Sequence, residues 1–359
     1  MKKFKSVLNY IFIDGLSGMA LGLFATLIIG TILDQISGFI PVGNVIGTYL
    51  HFAAMVAKSL MGAGIGAGMA FKYKVTPLTG VSAAVAGMVG AFASKLIAGA
   101  VIDGSALTYS GPGDPLGAFI AAFIAIQAGR LISGKTKLDI LLTPAFSIIA
   151  GSAAGLLLGP PASKFSTWMG DIINWGTECH PLVMGIVVSA VMGICLTLPI
   201  SSAAIAVILG LSGVAGGAAV VGCSAQMIGF AVASWRENKF GGFLAQGVGT
   251  SMLQMPNIVK HPQIWIPPII TSMILGPIST LVLKMTCGPT GAGMGTSGLV
   301  GQFSTYSAMI ESGTDAKIVI AEILIMHFIA PALITLGISE FMRKKKFIHF
   351  GDMELKDIN

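Results

Sequence analysis

Long apolar stretches separated by short polar segments run the length of the chain, at 14–34, 45–71, 77–101, 115–133, 139–159, 181–198, 203–234, 241–258, 265–285 and 317–341. Most are near the roughly 20 residues an α-helix needs to cross a bilayer. The pattern predicts an all-α integral membrane protein of about ten transmembrane helices. Two stretches are irregular. The segment 203–234 is long enough to be broken, and 241–258 carries Gln246, Thr250, Gln254, Pro256 and Asn257, which predicts a re-entrant or broken helix. Between 162 and 178, Phe165, Trp168, Met169, Ile172 and Ile173 recur at helical spacing beside Lys164 and Asp171. With Trp175, they predict an amphipathic helix lying at the outer membrane surface.

Composition narrows the class. Hydrophobic residues make up 54% of the 359 residues and charged residues 10%, with a mean hydropathy of +0.86. Soluble domains carry about 25% charged residues, so a water-soluble globular fold is excluded. The 48 glycines are dispersed inside apolar runs, as expected where helices associate by close backbone approach. Gly62/Gly66 and Gly64/Gly68 form two overlapping Gly-xxx-Gly spacings and predict a tightly packed helix. Cys179, Cys195, Cys223 and Cys287 show neither a C-x-x-C pair nor metal spacing. No metal, cofactor, catalytic residue or nucleic-acid partner is expected.

Basic residues in short loops set the orientation. Lys2, Lys3 and Lys5 precede the first span, Lys72 and Lys74 follow the second, and Arg130, Lys135 and Lys137 follow the fourth. Loops 35–44 and 102–114 contain no Lys or Arg. Arg343-Lys344-Lys345-Lys346 closes the last span, so both termini are expected in the cytoplasm and the number of crossings even. Arg236 and Lys239 then fall outside, against the rule.

The chain reads as a single membrane domain over 1–346, with a first half at about 14–161, a second at about 180–302, a final helix at 317–341 and a short cytoplasmic tail at 347–359. Leu78-Thr79-Gly80-Val81-Ser82 is echoed by Leu211-Ser212-Gly213-Val214-Ala215, and Pro144 with Gly159-Pro160 by Pro268 with Gly276-Pro277. Such an internal repeat places a binding site at the interface of the halves. The repeats are parallel if every span crosses and inverted if one is re-entrant.

Ionisable side chains within a span cost about 3 kcal/mol at the helix centre, so each needs a reason. Lys58 lies deep in its span with His51 seven residues earlier on the same face. A pairing of Lys58 with Glu322 of the last span would ease the burial of both, and either could meet a polar solute. His327, four residues before Pro331, reads first as a satisfied core histidine. Three polar stretches interrupt the second half: Thr197-Leu198-Pro199-Ile200-Ser201-Ser202, then Gly249 to Asn257, then Gly288 to Gln302. The third is too glycine-rich for a lipid-facing helix, and such backbone is tolerated at membrane depth only where protein or a water-filled cavity surrounds it. Candidate solute contacts are therefore Lys58, His51, Glu322, Gln254, Asn257, Gly293, Gly295, Thr296, Ser297 and Gln302.

These three stretches, together with Asp14-Gly15-Leu16-Ser17-Gly18-Met19-Ala20-Leu21-Gly22, resemble the membrane EIIC-like family of the bacterial phosphotransferase system, and within it the branch named after the perfringolysin O regulator. The resemblance covers nearly the whole chain. It implies a permease of the bacterial cell membrane, a sugar-type solute, separate IIA and IIB partner proteins and a homodimer. No catalytic residue carries over. An ion-coupled transporter independent of phosphorylation, and a membrane sensor that binds a solute without moving it, stand beside that reading.

Overall fold

The computed structural model describes residues 9–355 except 39, 42, 104, 105, 110, 112 and 136. Lys2, Lys3, Lys5 and the end of the tail, 356–359, lie outside the described residues. Helices dominate, and many start where proline fixes the first turn and its missing N–H costs nothing. Asp114-Pro115 shows the arrangement, with the Asp114 carboxylate accepting from Leu116 N at 3.1 Å. The chain forms two compact units, residues 1–165 and 166–359.

The first unit contains α1 (Gly15–Gly38), α2 (Val45–Ser59), α3 (Met61–Lys72), α4 (Pro77–Ala91) and, after the short antiparallel ribbon β1 (Ile102–Asp103) and β2 (Ala106–Leu107), α5 (Pro115–Ile132). α2 and α3 meet at a 61° bend. A further helix, α6 (Asp139–Thr177), includes Pro144, Pro160 and Pro161 and runs past the unit boundary. The two Gly-xxx-Gly spacings of α3 serve two different neighbours. A Cβ on Gly62 or Gly66 would strike the α4 backbone at Gly87 or Ala83, and one on Gly64 or Gly68 would strike α1 at Thr26 and Gly22 or at Gly18. Glycine therefore brings three helices to backbone contact, which lipid, as apolar as leucine, could not drive by the hydrophobic effect.

The second unit is built round α9 (Gly213–Ala233), buried without interruption from Gly216 to Ala231. Before it come α7 (Pro181–Thr197) and α8 (Ser202–Ile208). After it, α10 (Trp235–Leu244) is kinked at Lys239, and a wide turn at Ala245–Gly249, a 3-10 turn at Ser251–Gln254 and α11 (Met255–Lys260) follow. α12 (Pro262–Leu283), α13 (Val300–Glu311) and α14 (Ala316–Lys344) complete the unit. Among the described residues six helices are long and apolar enough to cross a membrane, or seven if the bent α2–α3 pair is one span; α4 and α7 are shorter apolar helices. The stretch 241–258 is not one of them: it is broken into short turns.

The tail explains why. Asn238 Nδ2 donates to Met353 O at 2.8 Å and Asn238 Oδ1 accepts from Leu355 N at 2.8 Å. Gln254 Nε2 donates to the same Met353 O at 3.0 Å, and Asn257 Nδ2 to Glu354 O at 3.0 Å. Residues 238 and 257 thus stand at one end of the unit, both against the tail, and the chain between them goes in and returns. Arg343 donates to Glu237 at 2.8 Å and Arg236 to Glu340 at 3.0 Å. This corrects the sequence expectation: Arg236 and Lys239 lie at the same end as Arg343–Lys346. The strain in the charge pattern came from counting 241–258 as a crossing. The tail itself is held, with Ile348, Met353 and Leu355 buried.

Candidate functional site

Two broken segments meet beside the middle of α9. The glycine-rich segment starts at the head of α9, where Cys287 N donates to Gly213 O at 3.1 Å. By Gly295 it has reached Cys223 and Ser224, against which a Cβ on Gly295 would sit at 2.8–3.0 Å. Ten residues along a helix is roughly 15 Å, half of a hydrocarbon core about 30 Å thick. Gly295 (φ +54°) and Gly298 (φ +53°) take left-handed turns that favour glycine. Gly293 packs on the Ser202 carbonyl, whose hydroxyl donates back to Gly293 O at 2.7 Å. Gly291 to Ser297 is buried apart from half-buried Met294, so this is not a surface loop.

The other segment enters from the tail end of α9. Thr296 Oγ1 donates to Gly247 O at 2.5 Å, joining the two. The entering segment is internally complete. Gln246 Nε2 donates to Ser234 Oγ and Gly242 O, both at 2.9 Å, and its oxygen accepts from Gln254 Nε2 at 2.8 Å. Gln254 Oε1 accepts from Asn257 at 2.8 Å. These amides are consumed by the hairpin and the tail.

Elsewhere, buried polar atoms are left over. Gln302 Nε2 lies 3.0 Å from His327 Nδ1. A donor there leaves the imidazole proton on Nε2. Among the described residues, His327 Nε2, Gln302 Oε1 and Ser297 Oγ have no hydrogen-bond partner. On α9, Gln226 Oε1 accepts from Trp265 Nε1 at 2.9 Å and from Thr197 Oγ1 at 3.3 Å, while Gln226 Nε2 has no partner among the described residues. Buried polar groups are normally satisfied, so these atoms, like those of Ser279, Thr286, Thr305 and Ser339 in the same unit, are exceptions.

The family described as Phosphotransferase system, EIIC, matches residues 13–355. The chain belongs to this family. No curated protein matches it in sequence. This EIIC chain is therefore a multi-pass membrane protein of sugar transport, and the apolar helices of both units agree with that.

Of the residues picked from sequence, the EIIC chain brings Gly293, Gly295, Thr296, Ser297 and Gln302 together, with Gln254 and Asn257 in the facing hairpin. Lys58 and His51 belong to the first unit, where both grip Asp34: Lys58 Nζ at 2.6 Å from Oδ2 and His51 Nδ1 at 2.7 Å from Oδ1. Asp34 was the missed partner. Its position as the last residue of the predicted first span disguised it as a loop charge. Glu322 is half-buried on α14, and its Oε2 has no hydrogen-bond partner among the described residues. Gln226 and Trp265 were missed as well; a lone glutamine within the Gly/Ala/Val run of α9 was the available signal. An open groove of about 620 Å³ at the α3–α4 turn is lined mainly by apolar groups such as Ala67, Phe71, Pro77 and Val81, which suits a hydrocarbon chain better than a sugar.

Proposed function

We propose that this EIIC chain is the permease component for a sugar-type solute bound where the segment 288–302 meets the 245–254 turn, with IIA- and IIB-type proteins as separate phosphoryl-transfer partners. The observation that carries this reading is the set of unpartnered buried atoms at Ser297, Gln302 and His327 beside two broken segments. A sugar hydroxyl both donates and accepts, so the His327 Nε2–H and the Gln302 oxygen together match it, and glycine backbone lets a ring come close. Irregular backbone lining an enclosed polar site is how transporters use broken helices at membrane depth. Gln254 and Asn257 hold the hairpin in place. The reading places the chain in the perfringolysin O regulator branch, as a homodimer of the bacterial cell membrane with cytoplasmic termini.

Cells making this chain with IIA- and IIB-type proteins are expected to accumulate phosphorylated sugar from a panel of labelled neutral sugars. Gly295→Val should abolish uptake without preventing membrane insertion. Gln302→Ala should weaken binding by about 1–3 kcal/mol, or about 5- to 150-fold in Kd. Normal uptake in both variants would rule this site out. Lys58→Met and Glu322→Gln, measured alongside, decide whether those residues also serve the solute; uptake unchanged in both assigns them to structure.

A further inference from the structure

Gln226 differs from the other fully buried glutamines of the second unit. Gln246 and Gln254 have partners on both ends of their amides. The Gln226 side chain is fully buried, at 0% exposure, yet only its oxygen is satisfied. Its orientation is not open to choice. The Trp265 indole N–H can only donate, so the atom 2.9 Å away must be the amide oxygen. The Thr197 hydroxyl shares its proton between that oxygen at 3.3 Å and Gly193 O at 3.2 Å, and Thr197 Oγ1 lies 2.8 Å from Ser251 Oγ on the entering hairpin. Trp265 of α12 and Thr197 of α7 therefore hold the oxygen and leave the NH2 group, two donors, on the opposite side. Leaving such a donor unmet away from water costs free energy, and methionine, similar in size, would fill the same volume without that cost. Pinning by an indole and a hydroxyl is an arrangement for holding a donor still.

We infer that Gln226 is a specificity-determining solute contact, its amide nitrogen donating to one oxygen of the solute, with Trp265 and Thr197 as positioning residues. The inference rests on the permease reading above and adds to it a residue on α9, outside the glycine-rich segment. It also fixes the chemistry: the partner atom must be an acceptor, a hydroxyl or ring oxygen. Because Ser251 shares the Thr197 hydroxyl, displacement of the hairpin would loosen the grip on Gln226, so access to the site and the strength of this contact are linked.

The test uses the full chain in lipid nanodiscs and isothermal titration calorimetry with D-glucose, D-galactose, D-fructose and D-mannitol, followed by the deoxy analogues of whichever probe binds. Gln226→Met is expected to raise Kd about tenfold or more for that probe. It should bind one deoxy analogue, the one lacking the contacted oxygen, as well as the unaltered protein does. Trp265→Phe, which frees the amide to rotate, should give a smaller loss with the same analogue pattern. If a probe binds and Gln226→Met binds it equally well, the inference fails and the permease reading stands. A loss of equal size for every analogue, with a lowered melting temperature, makes Gln226 structural and also overturns it. If the unaltered protein binds none of the probes, the permease reading falls and takes this inference with it.

Discussion

Gly222→Leu is expected to leave no correctly packed second unit. Gly222 sits in the middle of α9, and a Cβ there would fall on the Ser189 carbonyl of α7. The obstacle is backbone, so it cannot rotate away as a side chain would. Ser189 is also fixed from its far side, its hydroxyl donating to Ser272 O of α12 at 2.7 Å. Pushing α7 aside therefore disturbs a second close contact, between Gly185 and Gly276. Overpacking a core usually costs about 1–3 kcal/mol, and forcing two helix backbones apart in a post buried on all sides belongs at or beyond the top of that range. Gly337→Leu on α14 is the control, since nothing lies within 4 Å of its Cβ position. Fluorescence-detected size exclusion of the detergent extract should show a monodisperse peak for Gly337→Leu and aggregate for Gly222→Leu. Two equal peaks would mean that the α7–α9 contact is looser than its geometry.

The second large effect is expected at Glu237 and Arg343. Their side chains are 1% and 9% exposed, with 2.8 Å between Oε1 and Nη2. Arg343 also donates to Ala233 O at 3.1 Å, the last residue of α9. Removing one member of a buried pair strands the other and costs about 3–5 kcal/mol, whereas replacing both by apolar groups is often close to neutral. Glu237→Leu and Arg343→Met should each lower thermal stability sharply, and the double variant should recover most of the loss. The neighbouring pair Arg236–Glu340, with Arg236 59% exposed, should contribute at most about 1 kcal/mol and fade in salt. A double loss equal to the sum of the two single losses would show that the side chains act separately rather than as a pair.

The membrane class, most helix boundaries and the glycine-mediated packing of α3 were legible in the sequence because each depends on local composition and spacing. The break in 241–258 was legible for the same reason: amides and proline do not fit a lipid-facing helix. Its return to the tail was not, because that geometry depends on hydrogen bonds to Met353 and Glu354, about a hundred residues away, for which no local pattern exists. The site divided in the same way. Glycines and hydroxyls at 288–302 stood out against an apolar background. Gln226 became visible only when Trp265 and Thr197 could be seen to occupy one end of its amide and leave the other open. His327 read from sequence as a satisfied core histidine. The structure shows that it is buried but, among the described residues, leaves its Nε2 without a partner.

The strap formed by the tail has a consequence for how the protein is made. Asn238 and its partner Met353 are 115 residues apart. At a synthesis rate of about 5–20 residues per second, about 6–23 s separate their appearance on the ribosome. Throughout that interval Asn238, Gln254 and Asn257 face no carbonyls of the tail, and the hairpin can seat fully only after α14 has been made. Its capture is therefore a late step of biogenesis. A chain interrupted between the hairpin and the tail would keep the Gln246–Gln254–Asn257 bonds but leave Asn238 without the Met353 and Leu355 backbone groups that meet its amide.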